Sequence, residues 1–225
     1  MVSHELKTPL VPITGYCEML LESGLIGELN ADQTEFIKKI QSNSYHLKNL
    51  TDKILQAQRL DMQKQSWDIQ TFNIKEFMND IHLGHKGMMV EKNIEFINNS
   101  PNEFKVESDR NNLKEVFVNI IQNAVDFVPA NTGRIEINSK QSGDDILFSV
   151  KDNGTGIPKE KLEHIFKKFY QADTSNTRTH GGTGLGLSIC NGIIDGLGGK
   201  IWVESKVGLG STFFFSITKK FSEKQ

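Results

Sequence analysis

An α+β fold is expected from this sequence: a helical hairpin that joins a second copy in a dimeric four-helix bundle, followed by an α/β sandwich. Two periodicities support it. From Leu6 to Ala57 apolar residues recur every three or four positions, as along one helix face, whereas beyond Gln65 they alternate in short runs. The 225 residues are 37% hydrophobic, which suits ordinary cores in one large or two small domains.

Leu6, Leu10, Ile13, Cys17 and Leu20 follow spacings of four, three, four and three and form one stripe, with His4 off it. Pro9 removes an amide and is expected to kink this first helix. Together with Pro12 it would leave the helix irregular near His4. Gly24 and Gly27 then break the pattern, and Asn30 or Asp32 is expected to cap a second helix with Glu35 in its first turn. That arm carries Phe36, Ile40, Leu47, Leu50, Ile54 and Ala57, with Asn43 as the one polar step. Two helices alone leave long apolar stripes covered only by each other. Pairing with a second chain buries them, so a homodimer is expected, and Asn43 is a candidate for fixing its register.

A short hinge is expected between Asp61 and Asp68, dividing a domain of residues 1–65 from one of 66–225. In the second domain "SWDIQTFNI", "NIEFINNS", "RIEINSKQ", "DILFSVKDN", "KIWVESK" and "STFFFSIT" read as strands, and residues 74–89, 109–127 and 184–196 as helices. Strands and helices do not alternate regularly, which favours an α+β sandwich with helices on one sheet face over a doubly wound parallel sheet.

Charge narrows the partners. With 26 basic and 28 acidic residues the net charge is -2, so there is no broad electrostatic footprint for nucleic acid or an acidic membrane. Cys17 and Cys190 lack metal-ligand spacing and are expected to be reduced, buried thiols. No apolar run reaches the roughly 18 residues of a membrane span, and nothing resembles a signal peptide. The chain is expected to be soluble and to make no direct membrane contact, although a longer parent protein could carry an anchor.

Three segments of the second domain point to a nucleotide. "DNGTGIP" follows a strand, "HGGTGLGLS" leads into a helix, and "NIIQNAVDF" lies on a helix. Each also has a plain structural explanation: a tight turn, a glycine-rich loop, a hydrogen-bonded Asn pair. Neither glycine cluster has the spacing of a dinucleotide fingerprint or a P-loop. The chemistry adds weight. Asp152, when ionised, can accept from the exocyclic amine of adenine, while Gly154 and Gly156 let the backbone approach a flat ring. Gly182, Gly184 and Gly186 precede a helix whose first amides can face phosphate. Asn119 and Asn123 share a helix face, where an amide oxygen could ligate magnesium.

In order along the chain, "HELKTPL", "NIIQNA", "DNGTGIP", "IFKKFYQAD", "GGTGLGL" and "GLGSTFFFSI" resemble the phosphoacceptor, asparagine, first glycine, phenylalanine, second glycine and final glycine boxes of sensor histidine kinases of two-component signalling. Six boxes in the family's order are far more specific than one. The resemblance implies a dimerisation and phosphoacceptor hairpin followed by a Bergerat-type ATP-binding sandwich. It implies ATP and Mg2+ as cofactors, a homodimer, and a response-regulator receiver domain as partner, with no role for nucleic acid. It places the chain in the cytoplasm, alone or as the cytosolic part of a membrane-anchored sensor.

Carried over by position, His4 would attack the γ-phosphate, Glu5 would hold the other ring nitrogen, and Thr8 would position water for dephosphorylating the partner. Asn123 would hold magnesium and Asn119 would assist. Asp152, Gly154, Gly156 and Ile157 would receive adenine. The stretch from Tyr170 to Gly182 would form a lid, and Thr183, Gly184, Leu185, Gly186, Leu187 and Thr212 would complete the nucleotide site. One position departs from the pattern. Asp126 stands where the family often has Lys, Arg or His, and a carboxylate there repels phosphate unless magnesium or a cation such as Lys167, Lys168 or Arg178 offsets it.

Two other functions compete. Related ATPases such as gyrase activate water with a glutamate one turn before the metal-binding asparagine, but here that position is Asn119, which cannot act as a base. A catalytically weak, nucleotide-binding dimeric scaffold for a receiver domain is the second alternative, motivated by Asp126 and opposed by the intact "HELKT" box.

Overall fold

The structure is a computed structural model and describes residues 9–22, 27–100, 104–171 and 183–220. Its contacts divide the chain into two compact units, which meet between Gln58 and Arg59.

The first unit is the hairpin. Helix α1 spans Leu10–Leu21 and α2 spans Ala31–Asp61. Pro12 sits in the first turn of α1, where an amide has no partner to lose, and the helix runs unbroken to Leu21. The expected kink near His4 concerns residues 1–8, which lie outside the described residues, as does Leu6. Asn30 is the cap of α2: its side chain accepts from the Gln33 amide at 2.8 Å while Gln33 Oε1 accepts from the Asn30 amide at 2.9 Å, a reciprocal capping box. Tyr45 donates to Glu18 across the hairpin at 2.6 Å. Leu10, Cys17, Leu55 and Ala57 are buried, but Phe36 and Ile40 remain 63% and 51% exposed, with Ile13, Tyr16 and Leu47 also exposed. The helical stripe is where the periodicity places it, and in one chain much of it is uncovered.

The second unit has two sheets. Strands β1 (Ile69–Asn73) and β3 (Lys105–Asp109) pair antiparallel. The main sheet has the order β2-β4-β5-β7-β6, formed by Glu95–Asn98, Arg134–Ser142, Asp145–Asp152, Gly210–Thr218 and Lys200–Lys206. Only the β2–β4 pair is parallel, so the sheet is not the parallel, doubly wound kind that the sequence argued against. Helices α3 (Ile74–Glu91), α4 (Arg110–Phe127) and α5 (Gly186–Gly196) supply the helical part of the unit.

Alternation builds the core. Ile146, Phe148 and Val150 of β5 and Phe213, Phe215 and Ile217 of β7 are buried, and their neighbours are half-exposed. Phe117 of α4 meets Phe148 and Phe215 edge-on at centroid distances of 5.4 and 5.0 Å, while Phe148 and Phe215 stack on each other at 5.1 Å. On the other sheet face Trp202 stacks on Phe214. Two side-chain caps orient the helices. Asn73 accepts from the amides of Lys75 and Glu76, starting α3. The buried Asp109 accepts from the amides of Asn111 and Asn112 through Oδ1, while its Oδ2 takes the Asp68 amide and the Asn112 side chain, tying the approach to β1 onto the start of α4.

On α3, His82 lies flat against Phe96 of β2, with centroids 4.8 Å apart, and its Nδ1 is buried without a hydrogen-bond partner. Burial pushes this imidazole below the ordinary histidine value of 6.5, and Lys86 adds to the effect. The unfolded chain therefore binds the proton more readily than the folded one, so stability falls as pH drops through 6.5 towards the lowered folded value. Melting curves followed by circular dichroism should show this loss on acidification, and His82→Phe, which keeps the stacking without the titration, should flatten it.

Candidate active site

Helix α4 carries the first group of candidates. Phe117, Ile120, Ile121 and Ala124 hold its buried face against the core. Asn119, Asn123 and Asp126 stand on its flank, half-exposed; at about 100° per residue they leave the helix within an arc of roughly 60°. Gln122 donates to Asp126 Oδ1 at 3.0 Å.

The first glycine loop is attached to the end of this helix. The Thr155 amide donates to the Phe127 carbonyl at 3.3 Å, and Gly154 is packed so closely that an added Cβ would lie 2.8 Å from both that carbonyl and Asp152 Oδ1. Asp152 ends β5 on the helix-facing side of the sheet and is 6% exposed. Its Oδ1 accepts from the amides of Gly154 at 2.8 Å and Ser211 at 3.2 Å, and its Oδ2 takes no hydrogen bond from a described residue. Burial pushes the carboxyl pKa up, and the two amide bonds pull part of the way back. Gly156, at φ +72°, lies under the end of β6, where a Cβ would run into the Lys206 carbonyl. The Ile157 amide donates to Ser205 Oγ at 2.7 Å.

The second glycine cluster meets α4 from the other side. Gly186 opens α5 so close to Asn119 that an added Cβ would lie 3.1 Å from its Oδ1. The first-turn amides of Gly186, Leu187 and Ser188 have no intrahelical partner, and among the described residues no side chain caps α5. Leu185 is fully buried and anchors the turn, and its amide approaches Thr183 Oγ1 at 3.4 Å. The Gly184 carbonyl accepts from the Phe169 amide at 2.9 Å, which brings the phenylalanine box alongside; Tyr170 there lies edge-on to His164.

Contacts thus tie α4 to the loop of Asp152, Gly154, Gly156 and Ile157 through Phe127, and to the turn of Thr183, Gly184, Leu185, Gly186 and Leu187 through Asn119, with Tyr170 following Phe169 beside Gly184 and with Asn123 and Asp126 on the same flank of the helix as Asn119. Thr212 is not part of this set. It pairs with Lys151, one residue out of phase with Asp152 and Ser211, and so projects from the opposite sheet face. Lys168 is ion-paired with Asp61. His4, Glu5, Thr8, Arg178 and Gly182, with the lid stretch 172–182, lie outside the described residues.

Sequence reasoning missed several contributors. The Ser211 amide and Ser205 hydroxyl hold the first glycine loop, and Asn153 ties it to the start of β4 by accepting from the Arg134 amide at 2.7 Å and donating to the Thr132 carbonyl at 2.8 Å. Gly210, at φ +92°, lets the Asp152 carbonyl pass where a Cβ would collide. The signal for these was the final glycine box itself, whose glycine marks a close backbone approach.

The donors suit a nucleotide with a hard cation. Among the described residues there is no group of three or more His, Cys, Asp or Glu side chains that could hold a metal alone. Amide and carboxylate oxygens on α4 fit a partial shell completed by phosphate and water, as Mg2+ prefers. The fold and this site define an ATP-binding α/β sandwich. Residues 108–221 match the family described as histidine kinase-, DNA gyrase B-, and HSP90-like ATPase, and residues 1–63 match the His Kinase A (phospho-acceptor) domain. The chain belongs to the sensor histidine kinases of that family.

Sensor histidine kinase WalK of Bacillus subtilis is 35% identical over 224 residues, covering 97% of this chain and 36% of the relative. The circadian input-output histidine kinase CikA of Synechococcus elongatus is 34% identical over 220 residues, covering 94% and 28%. The chain thus spans about a third of the length of these curated relatives. Full-length ShkA, solved in complex with AMPPNP, shares the fold at TM-score 0.85 and 24% identity over 99% of this chain and 46% of that one. Histidine kinase ThkA, solved in complex with response regulator protein TrrA, aligns at TM-score 0.65 and 30% identity over 97% and 60%.

Gly156→Ala and Gly208→Ala separate strain from collision. Both put alanine at positive φ, at a cost of about 1–2 kcal/mol each. Gly208 has nothing within 4 Å of an added Cβ, whereas at Gly156 the Lys206 carbonyl stands in the way. Denaturant melts should show the larger loss for Gly156→Ala, and nucleotide titration should show weakened binding in that variant only.

Proposed function

We propose that this chain is the catalytic core of an ATP-dependent protein histidine kinase. It phosphorylates its own His4 and passes the phosphoryl group to an aspartate of a response-regulator receiver domain, with Thr8 serving the reverse, phosphatase reaction. Residues 1–65 act as the dimerisation and phosphoacceptor domain and 66–225 as the ATP-binding domain. A ring nitrogen of His4 attacks the γ-phosphorus, the new N–P bond forms as the bond to the β,γ-bridging oxygen breaks, and ADP leaves. Glu5 holds the proton on the other ring nitrogen, so the attacking one keeps its lone pair. Magnesium, when bound, neutralises charge on the phosphate chain; Asn123 and Asn119 supply oxygens towards it.

The Asp152 carboxylate carries this reading. Two backbone amides hold one oxygen and leave the other without a described partner, beside a loop whose glycines let it pack directly against the Phe127 and Lys206 carbonyls. Transfer is favoured over hydrolysis because Asn119, one turn before Asn123, cannot take a proton from water. A receiver-domain partner is supported by ThkA, which was solved with a response regulator. A homodimer is supported by the exposed stripe through Ile13, Tyr16, Phe36, Ile40 and Leu47, five large apolar side chains on one two-helix unit.

Incubation with γ-labelled ATP and Mg2+ should give an acid-labile, alkali-stable label on the parent and none on His4→Gln; equal labelling of the two would exclude His4 as acceptor. Asp152→Asn keeps an oxygen for the two amides but can turn a donor towards the base, so ATP affinity should fall by at least about thirtyfold with the fold intact. Sedimentation should give a dimer, and a monomer at high micromolar concentration would overturn that assignment.

A further inference from the structure

The last turn of α4 is negatively charged where it adjoins the phosphate side of the site. Asp126 is seven residues after Asn119 and three after Asn123 on the same flank. Gln122 occupies its Oδ1, and its Oδ2 takes no hydrogen bond from a described residue. The adjoining Phe127 carbonyl receives the Thr155 amide, which sets Asp126 next to the junction of helix and adenine loop. No basic residue occupies the last turn of α4, which is the negative end of the helix dipole. Among the described residues no basic side chain pairs with Asp126, and Lys168 is committed to Asp61. A phosphate chain arriving without a cation therefore meets repulsion there, and the same carboxylate becomes an oxygen ligand once a divalent cation is present.

Building on the nucleotide site proposed above, we infer that Asp126 is a cation-selecting residue: its carboxylate joins Asn123 in the oxygen donor set for a divalent cation and makes nucleotide binding by this chain strictly cation-dependent. A basic side chain at that position would contact phosphate directly and leave part of the affinity intact without metal. With Asp126 the attraction at this position passes through the ion.

Calorimetric titration with AMPPNP, in excess Mg2+ and in EDTA, reads this without turnover. The parent should bind far more tightly with Mg2+. In Asp126→Asn the ratio of the two affinities should shrink by about tenfold, the scale of one screened charge pair, because binding in EDTA improves while the apparent Mg2+ affinity of the complex weakens. Asp126→Ser should behave alike, so the test does not depend on one variant folding, and Asp126→Glu should restore the parental ratio. An unchanged ratio in both neutral variants overturns the role of Asp126 and leaves the nucleotide site standing. Absence of AMPPNP binding by the parent in either buffer overturns the site and this inference together.

Discussion

The carboxylate of Asp152 and its bonds to the amides of Gly154 and Ser211 are the constraint on which the site depends. Burying a carboxylate costs several kcal/mol unless hydrogen bonds replace its water, and here they come from two chain segments far apart in sequence. The bond to Gly154 makes the chain fold back directly after β5. The bond to Ser211 requires β7 to lie beside β5 in one register, with Val150 opposite Phe213. That register also brings Phe148 opposite Phe215 and both beneath Phe117. Slipping it by one residue would turn Asp152 and the aromatic core to the wrong face together.

Helix α4 transmits that order to the phosphate side. Asp109 fixes its start through three amides and one side-chain donor, and the Phe127 carbonyl fixes its end to the first glycine loop. A helix held at both ends and packed along one face has little freedom to rotate, so the Asn119 flank keeps its direction. Gly186 then allows α5 to approach within contact of Asn119, and the uncapped amides of α5 come to the same flank. Aromatic packing, a cap and two close glycine approaches thus set the spacing between the two glycine clusters and the asparagine flank of α4.

Much of this was legible in the sequence because the signals were periodic or chemical. Strand alternation located all five strands of the main sheet, and the helices near 74–89, 109–127 and 184–196 were found at nearly their observed limits. Strand β3, "KVESD", was missed because Val106 is its only apolar residue and its partner β1 is equally short. Thr212 shows a different failure. A motif gives letters in order, but which of Ser211 and Thr212 faces the site depends on strand parity, and that follows from pairing with β5. Lys168 looked like a cation available to phosphate, and its pairing with Asp61 joins residues 107 apart in sequence, beyond the reach of any local pattern. Asn153 was read within a nucleotide motif, yet its side chain spends its hydrogen bonds on the turn before β4.

The two units differ in how their apolar surface is satisfied. The second buries Phe77, Phe117, Phe148 and Phe215 within itself, so its order does not depend on chain concentration. The hairpin leaves Phe36, Ile40 and Leu47 exposed on a helix of 31 residues. If a second copy covers that stripe, hairpin stability follows protein concentration by mass action while nucleotide affinity does not. Dimerisation and ATP binding then respond to different variables in one polypeptide. If His4 accepts the phosphoryl group as proposed, and the hairpin that carries it is ordered by a second copy, transfer requires both conditions at once. Dilution would therefore abolish autophosphorylation before it abolished nucleotide binding.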